Sequence, residues 1–508
     1  MDPITKLISI FSPSTAAKRV RSQVALRMMQ SEIRKFDGAG HGRRFGNFGY
    51  GNTTQNQQII AALPTLRERS EDMARNNGYA KNAIRRVGNN VVGTGIMATP
   101  VSKNPNPEAA KKEEDLVKKV WKEWAESTDC DFDGMQNFYG IQKMIAKTAA
   151  KSGACIARKV WKRYKKNSMS LEIQLLHPSF LDRSKTGVTF ENGEYLFNGI
   201  QFDKFNKKKA YWIYDSNPFE NKIQSQSVPA EDIRYIFDIE DPGQVDGLPF
   251  NSSVILPMKD FDEYTDAQLI RQKIAACFAV FITNDNEALG SNAIESKNDQ
   301  LEKVEPGIIQ NLKRGETISF ANPPTTEGFG EYSRQSLLLQ AAGIGLSYEA
   351  YTGDLTNVNF SSGRMGWIEM HRNVEDWQWN MVIAMFCNDA WKWFTKAAFL
   401  SGLIPDQNIG VTWTPPRREM IDPVKEGKAL AEMVRNGFIS WQDAVRSLGY
   451  SPEEILVEMK KDAQGFDEAG LMPTSDPRFD PTRKTDKPDK DAAGKKVKKQ
   501  KINLSKTE

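Results

Sequence analysis

Histidine and cysteine are nearly missing from this chain, with three and four copies in 508 residues. The histidines (His41, His177, His371) are scattered, and the cysteines (Cys130, Cys155, Cys277, Cys387) form no CxxC pair. The clustered ligands of a zinc site are therefore absent. The cysteine density is also too low for a disulfide framework, so four reduced, mostly buried thiols are expected. No run of about eighteen apolar residues occurs, and no membrane-spanning helix is expected. The opening MDPITKLISIFSPSTAAKRVR has too short an apolar run, with its charges on the wrong side, for a secretory signal. A cytoplasmic origin is the expectation.

Catalytic signatures are missing as well. A phosphate-binding loop needs GxxxxGK[ST], in which backbone N–H groups and a lysine hold phosphates. The Gly494-Lys495 pair lies inside a charged tail, with no Ser/Thr after the lysine and no strand before it. The one dense acidic cluster is Asp129, Asp131 and Asp133 in TDCDFDG. Its D-x-D-x-D-G spacing echoes a calcium loop, with Gly134 sixth, but the twelfth position is Gly140 where such a loop needs Glu. These acids are expected to cap a helix beginning near Asn137, with no metal and no cofactor bound. A metal-dependent DNA-processing enzyme using this cluster is the alternative reading of function.

What is present supports a packed fold. Hydrophobic residues make up 39% and aromatics 10%, enough for a real core. The net charge of +4 is unevenly placed: residues 1–50 carry +6, residues 472–508 carry +5, and the middle about −7. Basic ends on a mildly acidic body suit peripheral contact with nucleic acid or a partner.

Residues 36–58 are rich in Gly, Asn and aromatics and read as an extended arm. Helical spacing then runs from Ile59 to Val92, closed by Gly93 and Gly95. A helix over 107–127 places Leu116, Val117, Val120, Trp121 and Trp124 on one face, and another spans about Asn137 to Lys151. ACIARKVW, LEIQLLHP, GEYLFNGIQFD, KKAYWIYD and DIRYIFDI read as short strands of a mixed domain ending near Asp241. A helix from about Ser252 to Thr283 follows, then a polar segment with a strand-like ETISF, then a helix from Leu337 to Tyr351. A long aromatic-studded helix is expected from Ser361 to about Leu400, with Ser361 or Ser362 as its cap. Two or three short helices fill Pro423 to Leu471, and the last residues read as disordered. The fold class is α+β.

The most informative stretch is SYEAYTGDLTNVNFSSGRMGWIEMHR, from Ser347 to Arg372. Its polar loop, Gly353 to Asn359, has no charge pair, no metal-ligand spacing and no nucleophile–base pair. Such a loop is built to touch something without reacting with it. Together with RSEDMARNNGYAKNAIRRVGNNVVGTGI (Arg69 to Ile96), this block resembles the lambda-type phage portal proteins. Trp121, Trp124, Asn198-Gly199-Ile200, Pro242-Gly243-Gln244, Glu305-Pro306-Gly307, Asn322-Pro323-Pro324 and Trp413 through Glu426 extend the resemblance over about residues 60–450. Asp246 stands where that family usually has Arg.

The resemblance implies a multi-part subunit: an arm (1–58), a mixed α/β wing (59–255 with 361–420), stem helices (256–283 and 333–351), a small clip (284–332), a tunnel loop (352–360), a helical crown (421–471) and a disordered basic tail (472–508). It implies a ring of about twelve such subunits. The ring would sit at one capsid vertex, nucleate procapsid assembly with scaffold and major capsid proteins, and conduct double-stranded DNA without sequence readout. Asp354, Thr356, Asn357 and Asn359 would face the DNA. The clip residues Lys297, Lys303, Lys313 and Arg314 would dock the terminase large subunit and later the head–tail adaptor. Another head–tail connector is the near alternative; neither reading is an enzyme.

Overall fold

The computed structural model describes residues 54–161, 169–215, 224–276, 280–284, 316–320, 328–356, 358–416, 420, 422–471 and 478. The expectations for residues 1–53 of the arm, for Cys277, Lys297, Lys303, Lys313, Arg314 and Asn357, and for all of the tail but Arg478, lie outside these residues; the last arm residues, from Gln55, are helical and not extended. The chain divides into Met1–Ala61, described only from residue 54, and Ala62–Glu508, which holds all the packing discussed below.

The first helical stretch is two helices, not one: α1 (Gln55–Asn76) and α2 (Gly78–Val91). Asn77 separates them. It takes an extended backbone, accepts from Ala80 N at 2.8 Å and donates to Asp262 at 2.8 Å. Asparagine competes with the helical backbone and favours caps, which overrides the continuous apolar spacing. After strand β1 (Met97–Val101), helix α3 (Pro107–Ala125) buries Val117, Val120, Trp121 and Trp124. Leu116 falls off that face and is 41% exposed. Helix α4 (Phe138–Ser152) is capped by Asn137 itself, whose side chain accepts from Gly140 N at 2.9 Å.

Two antiparallel sheets follow. The first, in the order β3 (Leu171–Leu176), β2 (Ala154–Trp161), β9 (Ile233–Phe237), lies between two cores. Side chains alternate across a strand, so each strand serves both. On β2, Cys155 and Ala157 join the helical core, while Ala154 and Ile156 face the second core. On β9, Ile236 goes one way and Ile233, Tyr235 and Phe237 go the other. The second sheet comprises β4 (Val188–Thr189), β5 (Tyr195–Phe197), β6 (Ile200–Phe202), β7 (Lys208–Tyr214) and β8 (Ser225–Pro229) in sequential order, and closes that second core with Ile200, Tyr211, Ile213 and Val228. The expected strands are present, except that GEYLFNGIQFD is a hairpin of β5 and β6 turning at Asn198-Gly199, both at positive φ. The polar β8, SQSVP, escapes a pattern reading because only Val228 is buried.

Where α4 ends, the backbone of Gly153 presses on that of Gly247. A Cβ on Gly247 would stand 2.2 Å from the Gly153 carbonyl oxygen, and one on Gly153 would stand 2.4 Å from that of Gly247. Only two glycines permit this approach. Beside it, Asp246 is the hub of a buried polar centre. Its carboxylate accepts from Arg183 Nη2 at 2.9 Å, from Asn198 Nδ2 at 3.1 Å and from the Tyr235 hydroxyl, and Arg67 Nη2 stands 3.7 Å away. Asp246 thus has a charge role despite its departure from the family's arginine. Burial and the Asp246 charge push the Tyr235 hydroxyl's pKa up.

Helix α5 (Ile255–Ala276) ends earlier than its apolar content suggests, because Val280–Asn284 leaves as strand β10 to pair with β11 (Glu316–Phe320), the expected ETISF strand. The β-branched and aromatic run Val280 to Thr283 favours that pairing. Helix α6 (Phe329–Ile344) packs on α5, with Tyr264 meeting Phe329 and Tyr332. Gly345 stops it in the left-handed region, so the expected helix to Tyr351 is broken.

The long helix is present as one run: α8 (Phe360–Asp376), a π-helical segment Trp377–Cys387, and α9 (Asn388–Leu400). Within the π segment seven of eleven residues are buried, more than one α-helical face would bury. There Gln378 Nε2 donates to the carbonyls of Asn90 (3.3 Å) and Val91 (2.9 Å), satisfying the open end of α2. Most of its aromatics are core, but Trp379 is 49% exposed. Strand β12 (Gly410–Thr414) returns to pair with β1. Helices α10 (Pro423–Arg435), α11 (Trp441–Ser447) and α12 (Pro452–Ala469) finish the described chain.

Candidate functional site

The loop Gly353 to Asn359 hangs from a short helix, α7 (Tyr348–Thr352), capped by Ser347 through Ala350 N. The helix is clamped to the core. Tyr351 is fully buried, donates its hydroxyl to Gln340 at 2.8 Å and stacks on Tyr79 at 5.6 Å. Asn82 on α2 donates to the carbonyls of Ala350 (3.2 Å) and Tyr351 (2.8 Å). Gly353, at φ +78°, ends α7 and turns the chain outward.

The loop then holds its own shape. The Asp354 carboxylate accepts from the Thr356 amide at 3.0 Å, from the Thr356 hydroxyl and from the Tyr348 hydroxyl at 3.4 Å. The Thr356 hydroxyl, then the Thr356 amide, hold that carboxyl below the ordinary aspartate range. At the far end Asn359 caps α8: its side chain accepts from Ser362 N at 2.8 Å, and the Ser362 hydroxyl accepts from Asn359 N at 3.3 Å. This reciprocal pair corrects the expected cap at Ser361 or Ser362, because helical geometry begins at Phe360 and puts Ser362 three residues inside.

Of the expected contact residues, Asp354 and Thr356 build the turn, while Asn359 is committed to the helix. Leu355, between the first two, is 68% exposed. A reading of the loop as polar misses it; the signal is an apolar residue inside an Asp-x-Thr turn, which points such a side chain away from the bonded pair. No Lys or Arg occurs from Gly353 to Asn359.

The acidic cluster does not converge. Asp131 is buried and accepts from the amides of Met135 (2.9 Å) and Gln136 (3.0 Å), whereas Asp129 and Asp133 are exposed. Asp131 thus shapes the turn before α4 and leaves the capping to Asn137, which corrects the expected cap. No grouping of three metal-ligating side chains occurs among the described residues. Cys130, Cys155 and Cys387 are buried thiols, and burial pushes the Cys155 thiol up to about 12.

Ser152, His177 and Glu71 lie within hydrogen-bond distance, a set the sequence separates widely. His177 Nε2 meets Glu71 Oε1 at 2.7 Å and Ser152 Oγ at 3.1 Å, while Ser152 Oγ donates to Glu71 at 2.7 Å. A hydrolytic triad needs the acid on the other ring nitrogen. Here Nδ1 accepts from Ser179 N, so both partners crowd one nitrogen and Ser152 is fully buried. The arrangement ties α1 to the end of α4, where Arg67 Nε and Ser70 Oγ also donate to the carbonyls of Ser152 and Lys151, both at 2.6 Å. Burial opposes ionisation of Glu71, but the bonds from His177 and Ser152 outweigh it and hold its carboxyl at about 2. A carboxyl so lowered stabilises the fold above its unfolded-state pKa of about 4.3, and this contribution is lost as pH falls toward 2. Glu71→Gln should therefore lower the thermal midpoint at neutral pH, with the gap to wild type closing between about pH 5 and pH 2. A gap independent of pH would refute this role for Glu71.

The family model described as phage portal protein, lambda family, matches residues 41–378. A probable portal protein of Halomonas phage phiHAP-1 is 24% identical over 428 residues, covering 80% of this chain and 81% of the relative. Portal protein B of Escherichia phage lambda is 20% identical, covering 86% and 90%. Among solved structures, the neck of a native gene transfer agent particle computed with C12 symmetry aligns at TM-score 0.44 and 12% identity, over 75% of this chain and 94% of that one.

Proposed function

This chain belongs to the lambda family of phage portal proteins, and on that premise we propose that it assembles into a ring of about twelve copies at one capsid vertex. Double-stranded DNA would enter and leave the head through this ring. The ring would nucleate procapsid assembly in the host cytoplasm, dock the terminase large subunit and later bind the head–tail adaptor. The role is structural, with no catalytic step of its own. The parts keep the order given above: wing, stem helices at α5 (Ile255–Ala276) and α6 (Phe329–Ile344), clip between them with Lys297, Lys303, Lys313 and Arg314 as docking residues, and crown at α10 to α12.

The observation that carries the DNA-facing assignment is the loop itself. A moving duplex must be touched without being gripped. Each Lys or Arg that neutralises a phosphate releases counterions and adds affinity. The loop from Gly353 to Asn359 has neither residue, its acid is held in a turn, and its exposed tip is Leu355. It stands between a helix clamped to the core and the start of the long helix. That gives a rigid mount for a contact of low affinity.

Two measurements test the reading. Native mass spectrometry at moderate salt should find a ring near twelve subunits; a monomer or dimer persisting at high concentration would overturn it. In the ring, Thr356→Lys should tighten duplex binding and reduce the DNA packaged per head. The slope of log affinity against log salt should steepen by about one for each lysine that reaches a phosphate. Unchanged affinity and packaging would place the loop away from DNA.

A further inference from the structure

Helix α12 is poorly covered for its length. Among its residues only Pro452 is buried, and Leu456 and Val457 are 50% and 55% exposed. It is also strongly acidic, with six Asp/Glu against two lysines. Beyond it, Arg478 turns back onto the same helix. Its guanidinium donates to both Asp467 oxygens, at 2.9 and 3.0 Å, and to the Ala463 carbonyl at 3.4 Å. A two-pronged bond of this kind fixes direction as well as position.

That following chain is the electrostatic complement of the helix. Residues 479–508 carry ten Lys/Arg against five Asp/Glu, and residues 495–501, KKVKKQK, hold five lysines with no acid. Val497 sits in the middle of that run, as Leu456 and Val457 sit among the acids of α12. Reach is no obstacle. From Asp467 to Glu454 the helix is about 20 Å long, while the chain from Arg478 to Lys495 can extend to roughly 55 Å.

We propose that the lysine run Lys495–Lys501 docks in cis on the acidic, uncovered face of α12, with the Arg478–Asp467 pair as the fold-back point. The tail's basic charge is then held by its own subunit. This rests on the charges and the Arg478 contact, not on the portal assignment.

Zero-length carbodiimide crosslinking of the full chain, read by mass spectrometry, tests it. At low salt, lysines of 495–501 should link to Glu458 or Asp462 and, in competition with its Lys118 partner at 2.8 Å, to Glu454, and the links should fade as salt is raised to about 0.5 M. The double variant Glu458→Lys with Asp462→Lys should lower their yield roughly five-fold, the size expected of a few exposed pairs acting together. Adding Lys496→Glu and Lys499→Glu to that variant should restore linkage with the charges exchanged. Three results would overturn the proposal. One is a yield indifferent to the helix charges. Another is linkage found only between differently isotope-labelled copies, which would put the tail on a neighbour. The third is a tail that links nowhere on α12 but shifts a short DNA duplex, which would make it a nucleic-acid contact instead.

Discussion

Asp246→Ala should destabilise the subunit by about 3–5 kcal/mol, the largest loss expected of any single charge in the described chain. The Asp246 side chain is fully buried, and it faces two arginines, Arg67 and Arg183, whose side chains are 8% and 19% exposed. Removing the carboxylate leaves both cations in a poorly solvating pocket and orphans the Tyr235 hydroxyl and the Asn198 amide. The penalty is mostly the desolvation of what remains, not the loss of attraction itself. The arginines come from α1 and from the loop before the second sheet, so the damage should spread to how that sheet is held. Denaturant unfolding at fixed protein concentration gives the comparison. Asp246→Asn should fall between wild type and alanine because it keeps acceptor oxygen without charge. A loss below about 1 kcal/mol for alanine would mean the centre is wetter than the burial implies.

Trp121→Ala should cost a similar amount, about 3–5 kcal/mol, for a different reason. Trp121 is 3% exposed and meets five rings: Trp124, Phe138, Trp391, Phe394 and Trp413, at centroid distances from 4.8 to 6.2 Å. Those rings come from α3 itself and from α4, α9 and β12, so one indole joins its own helix to three other elements, two of them more than 250 residues away in sequence. Truncation leaves a cavity that rigid aromatic neighbours cannot fill by relaxing. Trp121→Phe should recover more than half of the loss, because a smaller ring still fills most of the space. Near-ultraviolet circular dichroism should report loss of the tryptophan cluster's signal in the alanine variant. An alanine variant with a native near-ultraviolet spectrum and an unchanged unfolding midpoint would refute this account.

These two residues differ in how far a linear reading reaches them. Trp121 is visible as a core residue from helical spacing alone, since Val117, Val120, Trp121 and Trp124 recur on one face. Its four ring partners outside α3 are not visible, because nothing in α3 says which distant aromatics will meet it. Asp246 is the opposite case. Its departure from the family's arginine is legible, but its meaning is not. A carboxylate's role depends on which cations fold around it, and Arg67 lies far away in sequence.

Local physics explains the elements that the sequence reveals. Period-two patterns become β2, β3, β7 and β9, whereas the caps at Asn106, Asn137 and Ser347, where short polar side chains accept from open amides, are not read from the sequence. Pattern and structure part where a local preference competes with a longer periodicity. Asn77 splits a helix whose apolar spacing runs straight through it, and Gly345 does the same before Tyr348. Beyond Ala276 an apolar run that suits a helix leaves to pair with Glu316–Phe320, because strand pairing rewards a partner the run itself does not contain.

For the candidate site, sequence alone determined the family resemblance, the absence of Lys and Arg from Gly353 to Asn359, and the absence of any familiar catalytic motif. These are properties of composition and order, and they need no third dimension. Only the tertiary structure decided that Asn359 caps the long helix while Asp354 closes the turn, that Leu355 is the exposed tip, that Tyr79 and Asn82 anchor the loop's root, and that Ser152, His177 and Glu71 meet without forming a triad. Each of these depends on distances between residues that the chain brings together only by folding, and hydrogen bonding and burial act on those distances rather than on sequence separation.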